Sequence, residues 1–527
     1  MFARPDCALP IEIYPLIFTY LDRRSPVQLS RVCRILFNAT IRHIWQEVEL
    51  RWLLALFPGP YCHNDVDEPL APEATMSVEA YCARFALYAP HVKIVNMESP
   101  GPCTLSTDFI LDRAENTTGQ LTLPNLEAVN VHNLFDPMLR GQETYRQSCD
   151  LWMVWMIPPT LQKLSFIARI HRNPLLHNLI VAMCPQLTRF KFFSGHIPGW
   201  DLWGYISILP TLQELTSLEI RCAEISNAGY RWLSKLPKLQ DLKLKVGDHC
   251  GQLPKPDSSL DYDFVAYPQA FSTLKSLHIS VSNEKGLQYI MQIWRTIATH
   301  VTHITIETWN RICTLDMFDQ LSSSLITDCP NTTFFHPREY MRSTVCDNAL
   351  PLPISHLSAL RKLPLRTLRV DRPLALEDGS GAMKSIGTLF PELEELWLNI
   401  PIKIEDLLQA TKYLPYVRRS RLHLHAQKPT SQPLSANLGE TRQTFDHGYR
   451  SDSNLAVVLH YGAESNERYE KYNAADWDFA ANLLVTYWST ISIIDSHGIV
   501  LHYTSELSEK IAFYAAQRDR NKRREQK

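Results

Sequence analysis

The chain has 527 residues, of which 45% are hydrophobic and 20% charged, and its formal net charge is -2. A chain of this length exceeds one ordinary globular core, so several domains or a repeat array are expected. The composition is that of folded protein and excludes disorder of the chain as a whole. Because the near-zero charge gives no global field toward nucleic acid or a membrane, we expect neither as a partner.

The 12 cysteines are scattered, and no two of them form a Cys-x-x-Cys pair. A disulfide scaffold is shorter and denser in cysteine, and a zinc module shows paired spacing. We therefore expect reduced, mostly buried cysteines, no metal and no cofactor. No window reaches the ~18 apolar residues of a membrane span. Arg4, Asp6 and Glu12 make the start a poor signal peptide, so a cytoplasmic or nuclear location is expected.

The first segment with a clear pattern runs from Leu9 to Phe37 and reads LPIEIYPLIFTYLDRRSPVQLSRVCRILF. Its apolar residues recur at helical spacing in a helix that starts near Glu12. Ser25 and Pro26 predict the start of a second helix, because a serine N-cap is followed by a proline in the first turn. The apolar positions, including those of a third run, are Ile13, Leu16, Ile17, Tyr20, Leu21, Leu29, Val32, Cys33, Leu36, Phe37, Ile41, Ile44, Trp45 and Val48.

Three short helices carry more apolar surface here than they can bury among themselves. Scaffolds below ~70 residues gain only a few kcal/mol from their own packing. Each large apolar side chain is worth ~1.5–3 kcal/mol when it is removed from water. The surplus must therefore be buried against a partner or against the rest of this chain, and the pattern does not distinguish the two.

The order and spacing of these residues resemble an F-box over about 45 positions. The matching residues are LPIEI from Leu9, IFTYL from Ile17, VCR from Val32 and the closing Trp45. The departures are a proline at position 15, where the family has a polar helical residue, and Pro26-Val27, where a leucine is common. The style of the segment is similar to that of F-box proteins abundant in fungi.

The resemblance implies a partner, because F-boxes dock on the Skp-type adaptor of a cullin–RING ubiquitin ligase. By this resemblance, the residues facing the adaptor would be Leu9, Pro10, Ile13, Ile17, Leu29, Val32 and Cys33. Each of them also fits an internal contact among the three helices. Phe18, Phe37 and Trp45 are expected to be such internal core residues.

Farther along, one motif recurs in the order apolar, two residues, apolar, one residue, apolar. It occurs as LEAVNV from Leu126, LQKLSF from Leu161, LTRFKF from Leu187, LTSLEI from Leu215, LQDLKL from Leu239, LKSLHI from Leu274, VTHITI from Val301, LRTLRV from Leu365 and LEELWL from Leu393. The gap between positions 301 and 365 is about two units wide, and CPNTTFF near Cys329 is a candidate degenerate copy.

This spacing is that of leucine-rich repeats, and each unit has to stack on its neighbours to bury its apolar edge. We therefore predict an α/β chain: a three-helix F-box followed by an irregular leucine-rich-repeat solenoid, curved, with a mostly parallel sheet and outer helices. The alternative is a set of unrelated strands and helices in an α/β protein, which so many copies in the same order disfavour. Many fungal F-box proteins resemble this arrangement.

Composition shifts give the expected domain boundaries. They are 5–52 for the F-box, 53–120 for a linker and first helices capping the repeats, 121–426 for the array, 427–454 for a flexible loop, 455–515 for a C-terminal repeat or cap, and 516–527 for a basic tail. The tail fits a solvated helix end or, more weakly, a nuclear import signal.

Residues between the inward leucines are expected on the concave face of such a stack. They are Arg189, Lys191, Phe193, Glu219, Arg221, Lys243, Lys245, His278, Glu307, Arg369, Asp371, Trp397 and Asn399. A mosaic of both signs with aromatics suits a protein target better than a phosphate backbone. The basic residues up to Lys245 form a local zone for an acidic or phosphorylated peptide. For any single residue, the alternative is an ordinary solvated strand face.

Catalytic patterns are absent from the sequence. It has no Gly-x-Ser-x-Gly and no His-Glu-x-x-His motif. GSGAMKS at 379–385 loosely resembles a phosphate loop, but Met383 replaces the required glycine, so an inter-repeat turn is expected. His423 and His425 share a strand face without further ligands, which does not make a metal site.

These observations favour a non-catalytic substrate receptor of an SCF-type (Skp–cullin–F-box) ubiquitin ligase. Its F-box would bind the Skp-type adaptor, and its repeat surface would hold a target protein that the sequence does not identify. One alternative is a binding scaffold that acts without ubiquitylation. Another is an enzyme whose site lacks a recognisable motif.

Overall fold

The structure is a computed structural model. It describes residues 17, 20, 24–32, 34–54, 56, 62–63, 78–97, 104–105, 123–132, 157–167, 182–193, 211–222, 233–246, 271–281, 284, 286–288, 291, 300–309, 314–340, 351–375, 381–402, 413–425, 450–460, 488–495, 513, 516–517, 520 and 523. The chain divides into two units, Met1–Leu274 and Lys275–Lys527, which are described separately.

The first unit begins with helices. Those described are α1 (Arg24–Ser30), α2 (Arg34–Trp45), α3 (Leu50–Leu54) and α4 (Val78–Tyr88). The ring of Trp45, at the end of α2, stacks on Tyr88, at the end of α4, with 4.2 Å between centroids. The stacking joins α2 to the part of the unit that carries α4. Most of the helix predicted from Glu12 lies outside the described residues.

The strands of the first unit form a parallel ladder. They are β1 (Glu47–Glu49), β2 (Cys62–His63), β3 (Ile94–Met97), β4 (Thr104–Leu105), β5 (Ala128–His132), β6 (Lys163–Ile167), β7 (Arg189–Phe193), β8 (Ser217–Cys222) and β9 (Asp241–Val246). Strands β1, β3 and β5 to β9 pair in that order, all parallel. The short β2 and β4 pair separately and antiparallel.

The second unit repeats the arrangement. Its strands are β10 (Ser276–Val281), β11 (His303–Trp309), β12 (Phe334–Tyr340), β13 (Leu352–Pro353), β14 (Thr367–Ala375), β15 (Glu395–Ile402), β16 (Arg419–His425), β17 (Arg450–His460) and β18 (Trp488–Asp495). Each pairs in parallel with its neighbour in chain order, except that β12 pairs with β14 and β13 pairs with the end of β14.

The repeat motif explains this ladder, because its first residue is buried two positions before a strand in every predicted copy. The relative exposures are 2% for Leu126, 0% for Leu161, Leu187 and Leu215, 1% for Leu239 and Leu274, 0% for Val301, 3% for Leu365 and 0% for Leu393. Burial of each of these side chains contributes ~1.5–3 kcal/mol. The predicted parallel repeats are therefore confirmed.

The degenerate copy near Cys329 is also a true repeat. Its strand is β12, and the position of the repeat leucine is taken by Thr332, which is fully buried. The hydroxyl of Thr332 donates a hydrogen bond of 2.8 Å to the carbonyl oxygen of Cys329. A buried hydroxyl with a local acceptor is tolerated in an apolar position, so the repeat continues here without its leucine.

A recurrent threonine ties neighbouring turns together. In several repeats, the residue after the buried position is a threonine whose hydroxyl donates to the carbonyl of the preceding repeat. The distances are 3.0 Å for Thr188 to Gln162 and for Thr216 to Thr188, and 3.3 Å for Thr302 to Lys275 and for Thr333 to Thr302. The stacking thus extends beyond the strands into the turns that precede them.

The second unit shows helical segments that lie between its strands in chain order and bury apolar side chains. They are α5 (Leu315–Asp328), the 3₁₀ helix Ile354–Lys362 and α6 (Ala382–Leu389). Helix α5 is capped by Thr314, whose side-chain oxygen accepts a bond of 3.2 Å from the backbone amide of Met317.

Toward the C-terminus, one strand differs from the expected boundaries. Strand β17 starts at Arg450, earlier than the predicted end of the loop at 454. Strand β18 covers the segment WSTISIID, within the region expected to be a C-terminal repeat or cap. Within the described part of the chain, no helix has the length and hydropathy needed to cross a membrane.

Candidate protein-binding face

The strands place two sets of side chains on opposite sides, because successive residues of a strand alternate. One set is apolar and buried, as with Leu218 and Ile220 on β8. The other set, which includes Ser217 and Glu219 on the same strand, is only partly covered. We call this second side the polar strand face of each unit.

In the first unit, the polar strand face of β6 to β9 is basic. Its described side chains are Lys163, Ser165, Arg189, Lys191, Ser217, Glu219, Asp241, Lys243 and Lys245. The register places Lys163 beside Arg189, and it places Glu219 between Lys191 and Lys243. Lys191 Nζ lies 3.4 Å from a carboxylate oxygen of Glu219. The described residues of this surface therefore include five cationic side chains and two carboxylates.

Nearer the N-terminus, the described residues of the same face include two asparagines and a glutamate that form hydrogen bonds. The side-chain amide of Asn96 donates to Glu47 at 2.7 Å, and that of Asn130 donates to Asn96 Oδ1 at 2.9 Å. Beyond the face, Lys93 Nζ and Glu127 Oε1 form an ion pair of 2.6 Å. The basic character is therefore confined to the later strands of this unit.

In the second unit, the face centres on a buried carboxylate. Glu307 on β11 is 8% exposed. One of its oxygens lies 3.2 Å from His278 Nε2, and the other lies 3.3 Å from Arg338 Nη1. Asp371 on β14 approaches Arg338 Nε at 3.7 Å and His336 Nε2 at 3.2 Å. Acids and bases alternate from strand to strand, which holds these side chains in fixed positions.

Beside this network, Arg369 is sandwiched between aromatic rings. Its guanidinium carbon lies 3.8 Å from the ring centroid of Trp397 and 5.1 Å from that of Phe334. Arg369 Nη2 lies 3.2 Å from Glu395, which also binds Arg419 Nη1 at 2.9 Å. Its buried Nε has no hydrogen-bond partner among the described residues, so cation–π contact is its main contact on that side.

The N-terminal helices expose large apolar side chains. Ile17 is 37% exposed, Tyr20 is 90% exposed, and Val32, just after α1, is 70% exposed. Leu29 is partly exposed. Leu9, Pro10, Ile13 and Cys33, predicted at the same surface, lie outside the described residues, as does Phe18. Phe37 and Trp45, predicted as core, are only half-buried.

Three local features of the described part of the chain concern metal binding and nucleophilic chemistry. Among these residues, no group of three His, Cys, Asp or Glu side chains is placed to hold a metal ion. Met383, in the segment that loosely resembles a phosphate loop, is fully buried in α6. Cys184 is free and buried, and burial raises the pKa of its thiol to about 12, which disfavours a nucleophilic thiolate.

One histidine of the first unit has a shifted pKa. Burial is the main reason that the pKa of His91 lies below its usual value, and the nearby positive charge of Arg42 lowers it further. His91 ends the 3₁₀ helix Ala89–His91, which follows α4, and Arg42 belongs to α2. The neutral imidazole therefore suits the place where these helices meet.

The structure brings the predicted face residues together in two sets. Arg189, Lys191, Glu219, Lys243 and Lys245 share the basic face of the first unit, and His278, Glu307, Arg369, Asp371 and Trp397 share the face of the second. The side chains of Phe193, Arg221, Asn399, His423 and His425 lie outside the described part.

Several members of the face were missed in the sequence. Lys163 occupies the same motif position as Arg189, so the repeat alignment could have identified it. Phe334, His336 and Arg338 were missed because their repeat lacks the leucine that marks the others. Glu395 and Arg419 follow the same two-residue alternation on their strands.

Comparison with known proteins adds little to the geometry. No protein-family model matches the chain, and no curated protein matches it. Among solved structures, it is similar to the leucine-rich repeat-containing protein LegL7 from Legionella pneumophila, at 14% sequence identity and a TM-score of 0.32, over 62% of this chain and 97% of that one. The repeat assignment therefore depends on the buried positions and the parallel register.

Proposed function

We propose that the chain is a non-catalytic substrate-recognition subunit of an SCF-type ubiquitin ligase. Its N-terminal helices bind the Skp-type adaptor, and through it the cullin–RING ligase, while the polar strand face binds a target protein. The observation that carries the proposal is the exposure of Ile17 and Val32, 37% and 70%, in a segment with F-box spacing. Exposed large apolar side chains in a segment with this spacing favour a protein partner.

The polar strand faces support the second half of the proposal. Their side chains carry both signs of charge and aromatic rings, as protein-binding surfaces do. In this function the chain does no chemistry itself. It raises the local concentration of target lysines beside a charged ubiquitin-conjugating enzyme, and the thioester chemistry belongs to other subunits.

The test is affinity capture from cells with the proteasome inhibited, comparing wild type with the double variant Ile17→Asp, Val32→Asp. Two carboxylates in an apolar interface cost several kcal/mol of binding because they lose hydration without gaining partners. We expect the adaptor to disappear from the captured proteins while proteins bound to the repeats remain.

The matched control is Tyr416→Asp, an exposed aromatic residue at 61% that lies outside this segment. It should retain the adaptor. Recovery of the adaptor with the double variant at wild-type levels would refute the assignment of these residues. If the adaptor is captured but no bound protein has a lifetime that depends on this chain, the scaffold function without ubiquitylation is the correct one.

A further inference from the structure

The unusual feature of the first unit is a pair of like charges in register. Lys163 on β6 lies directly beside Arg189 on β7, on the same side of the sheet. Neighbouring strands are about 4.8 Å apart, and like charges placed opposite each other destabilise a sheet. Neutral residues at these two positions would avoid the repulsion. The presence of two cations therefore suggests that a negative charge binds between them.

The protein does not supply the counter-charge within the described residues. No carboxylate among them lies within ion-pair distance of Lys163, Arg189 or Lys243. Glu219 binds Lys191 at 3.4 Å, and Glu127, just before β5, binds Lys93 at 2.6 Å. The second unit is different, since Arg338, Arg369 and Arg419 each lie within 3.7 Å of a carboxylate.

The neighbours of the pair leave its charged ends accessible. The register places Ala128 beside Lys163 and Ser217 beside Arg189. Ser165 follows Lys163 on the same side of β6. None of the three carries a charge, and none extends as far from the sheet as a lysine or arginine head group. The ammonium and guanidinium groups therefore face solvent, and both residues are exposed.

We infer that the polar strand face of β6 to β9 binds an acidic peptide segment of the target, with one anionic side chain between Lys163 and Arg189. The inference rests on the proposed function, in which this face holds a protein. Lys243 and Lys245, two strands farther on, engage further acids of the same segment. Carboxylates and phosphates share the required chemistry, since both accept charge-assisted bonds from lysine and arginine.

The dimensions favour a peptide over nucleic acid. The four strands span about 14 Å, which is the length of about four to five extended residues. Glu219 and Asp241 stand within the same surface and would repel a continuous phosphate backbone. Binding of a nucleic-acid duplex is driven by release of its counterions, which requires a longer uninterrupted basic stripe on the protein.

The test measures fluorescence anisotropy of short labelled peptides, about eight residues long, titrated with the full chain. One peptide is rich in glutamate, a second carries phosphoserines, and a third replaces the acids with glutamine. We expect both acidic peptides to bind, the glutamine peptide not to bind, and affinity to fall as salt rises. The stronger of the two acidic peptides identifies the source of the anionic group.

The decisive variant is the double change Lys163→Gln, Arg189→Gln. It should weaken binding of the acidic peptides by about tenfold or more, because two charge-assisted contacts are lost. It should not lower the melting temperature, because the repulsion is also removed. Lys238→Ala, Arg366→Ala is the charge-matched control at exposed positions off this surface, with Lys238 paired to Glu214 and Arg366 to Glu394. It should leave affinity within about twofold.

Equal binding by the double variant and wild type would overturn the inference, as would tighter binding of a DNA duplex than of either peptide. If the double variant does not fold, the wild-type protein still decides, because a bound peptide must raise its melting temperature. Adaptor capture is independent of this assay. If the acidic peptides do not bind but the adaptor is still captured, only this inference is refuted. If the peptides bind but the adaptor is not captured, only the proposed function is refuted.

Discussion

At the residue scale, the second unit depends on charges whose burial makes them sensitive to substitution. Glu307 is 8% exposed and holds His278 and Arg338 from neighbouring strands. A buried carboxylate loses hydration and is tolerated only where hydrogen-bonded cations replace the lost water. The same kind of pair on the surface, as between Lys238 and Glu214, has water as an alternative partner. Burial, more than distance, therefore separates the two pairs.

We expect Glu307→Gln to lower the free energy of unfolding by about 1–3 kcal/mol, because Arg338 then lacks its buried counter-charge. The measurement is the urea midpoint of unfolding, and the control is Glu214→Gln. That exposed glutamate lies closer to its lysine, at 2.7 Å, yet the change should cost about 0–1 kcal/mol. Equal effects of the two substitutions would show that Glu307 is not a buried anchor.

At the element scale, the close packing of helix α6 against a neighbouring segment limits which residue can occupy position 387. Helix α6 buries Ala382, Met383 and Ile386, together with Gly387. A Cβ atom added at Gly387 would collide with the backbone carbonyl group of Tyr413, whose carbon would lie 2.8 Å away. The glycine is therefore required by a close approach of backbone, although glycine inside a helix is otherwise unfavourable.

We expect Gly387→Ala to destabilise the protein by about 1–3 kcal/mol, because backbone displacement outweighs the better helix propensity of alanine, which is worth about 1 kcal/mol. Thermal unfolding followed by circular dichroism measures the effect. Lys384→Ala, an exposed position on the same helix, should change stability by less than about 0.5 kcal/mol. A stabilising Gly387→Ala would mean that the helix and Tyr413 do not approach so closely.

At the scale of the whole molecule, each of the two units is an array of repeats that bury their apolar edges against one another. The first residue of each motif is buried two positions before its strand, as Leu215 is before β8, which pairs with β7. Stability in such arrays is a sum of terms within repeats and between neighbours. Damage to one repeat should therefore spread mainly to the repeats on either side.

We expect Leu215→Ala to cost about 2–5 kcal/mol and to lower hydrogen-exchange protection most in β7, β8 and β9. Strands β3 and β5 of the same unit should lose less protection, because they do not adjoin the cavity. Gln213→Ala, in the same turn and exposed, is the control and should leave exchange unchanged. Uniform loss of protection across the unit would argue for one cooperative core instead of neighbour-coupled repeats.

Apolar periodicity alone marks the repeat positions and their parallel strands, because an apolar residue at a fixed spacing has to be buried wherever the chain places it. It also located the alternate positions that face away from the core. The same rule marked the repeat of β12 only as a candidate degenerate copy near Cys329, because Thr332 carries no apolar signal and is accommodated through its hydrogen bond to the carbonyl oxygen of Cys329.

The contacts among those outward residues are set by the tertiary fold. Glu307 and Arg338 are 31 positions apart, and Lys163 and Arg189 belong to different repeats, so strand register brings each pair together. The same holds for the requirement for glycine at 387, which comes from Tyr413. Contacts of this kind depend on the irregular lengths of the intervening segments, and apolar periodicity does not encode those lengths.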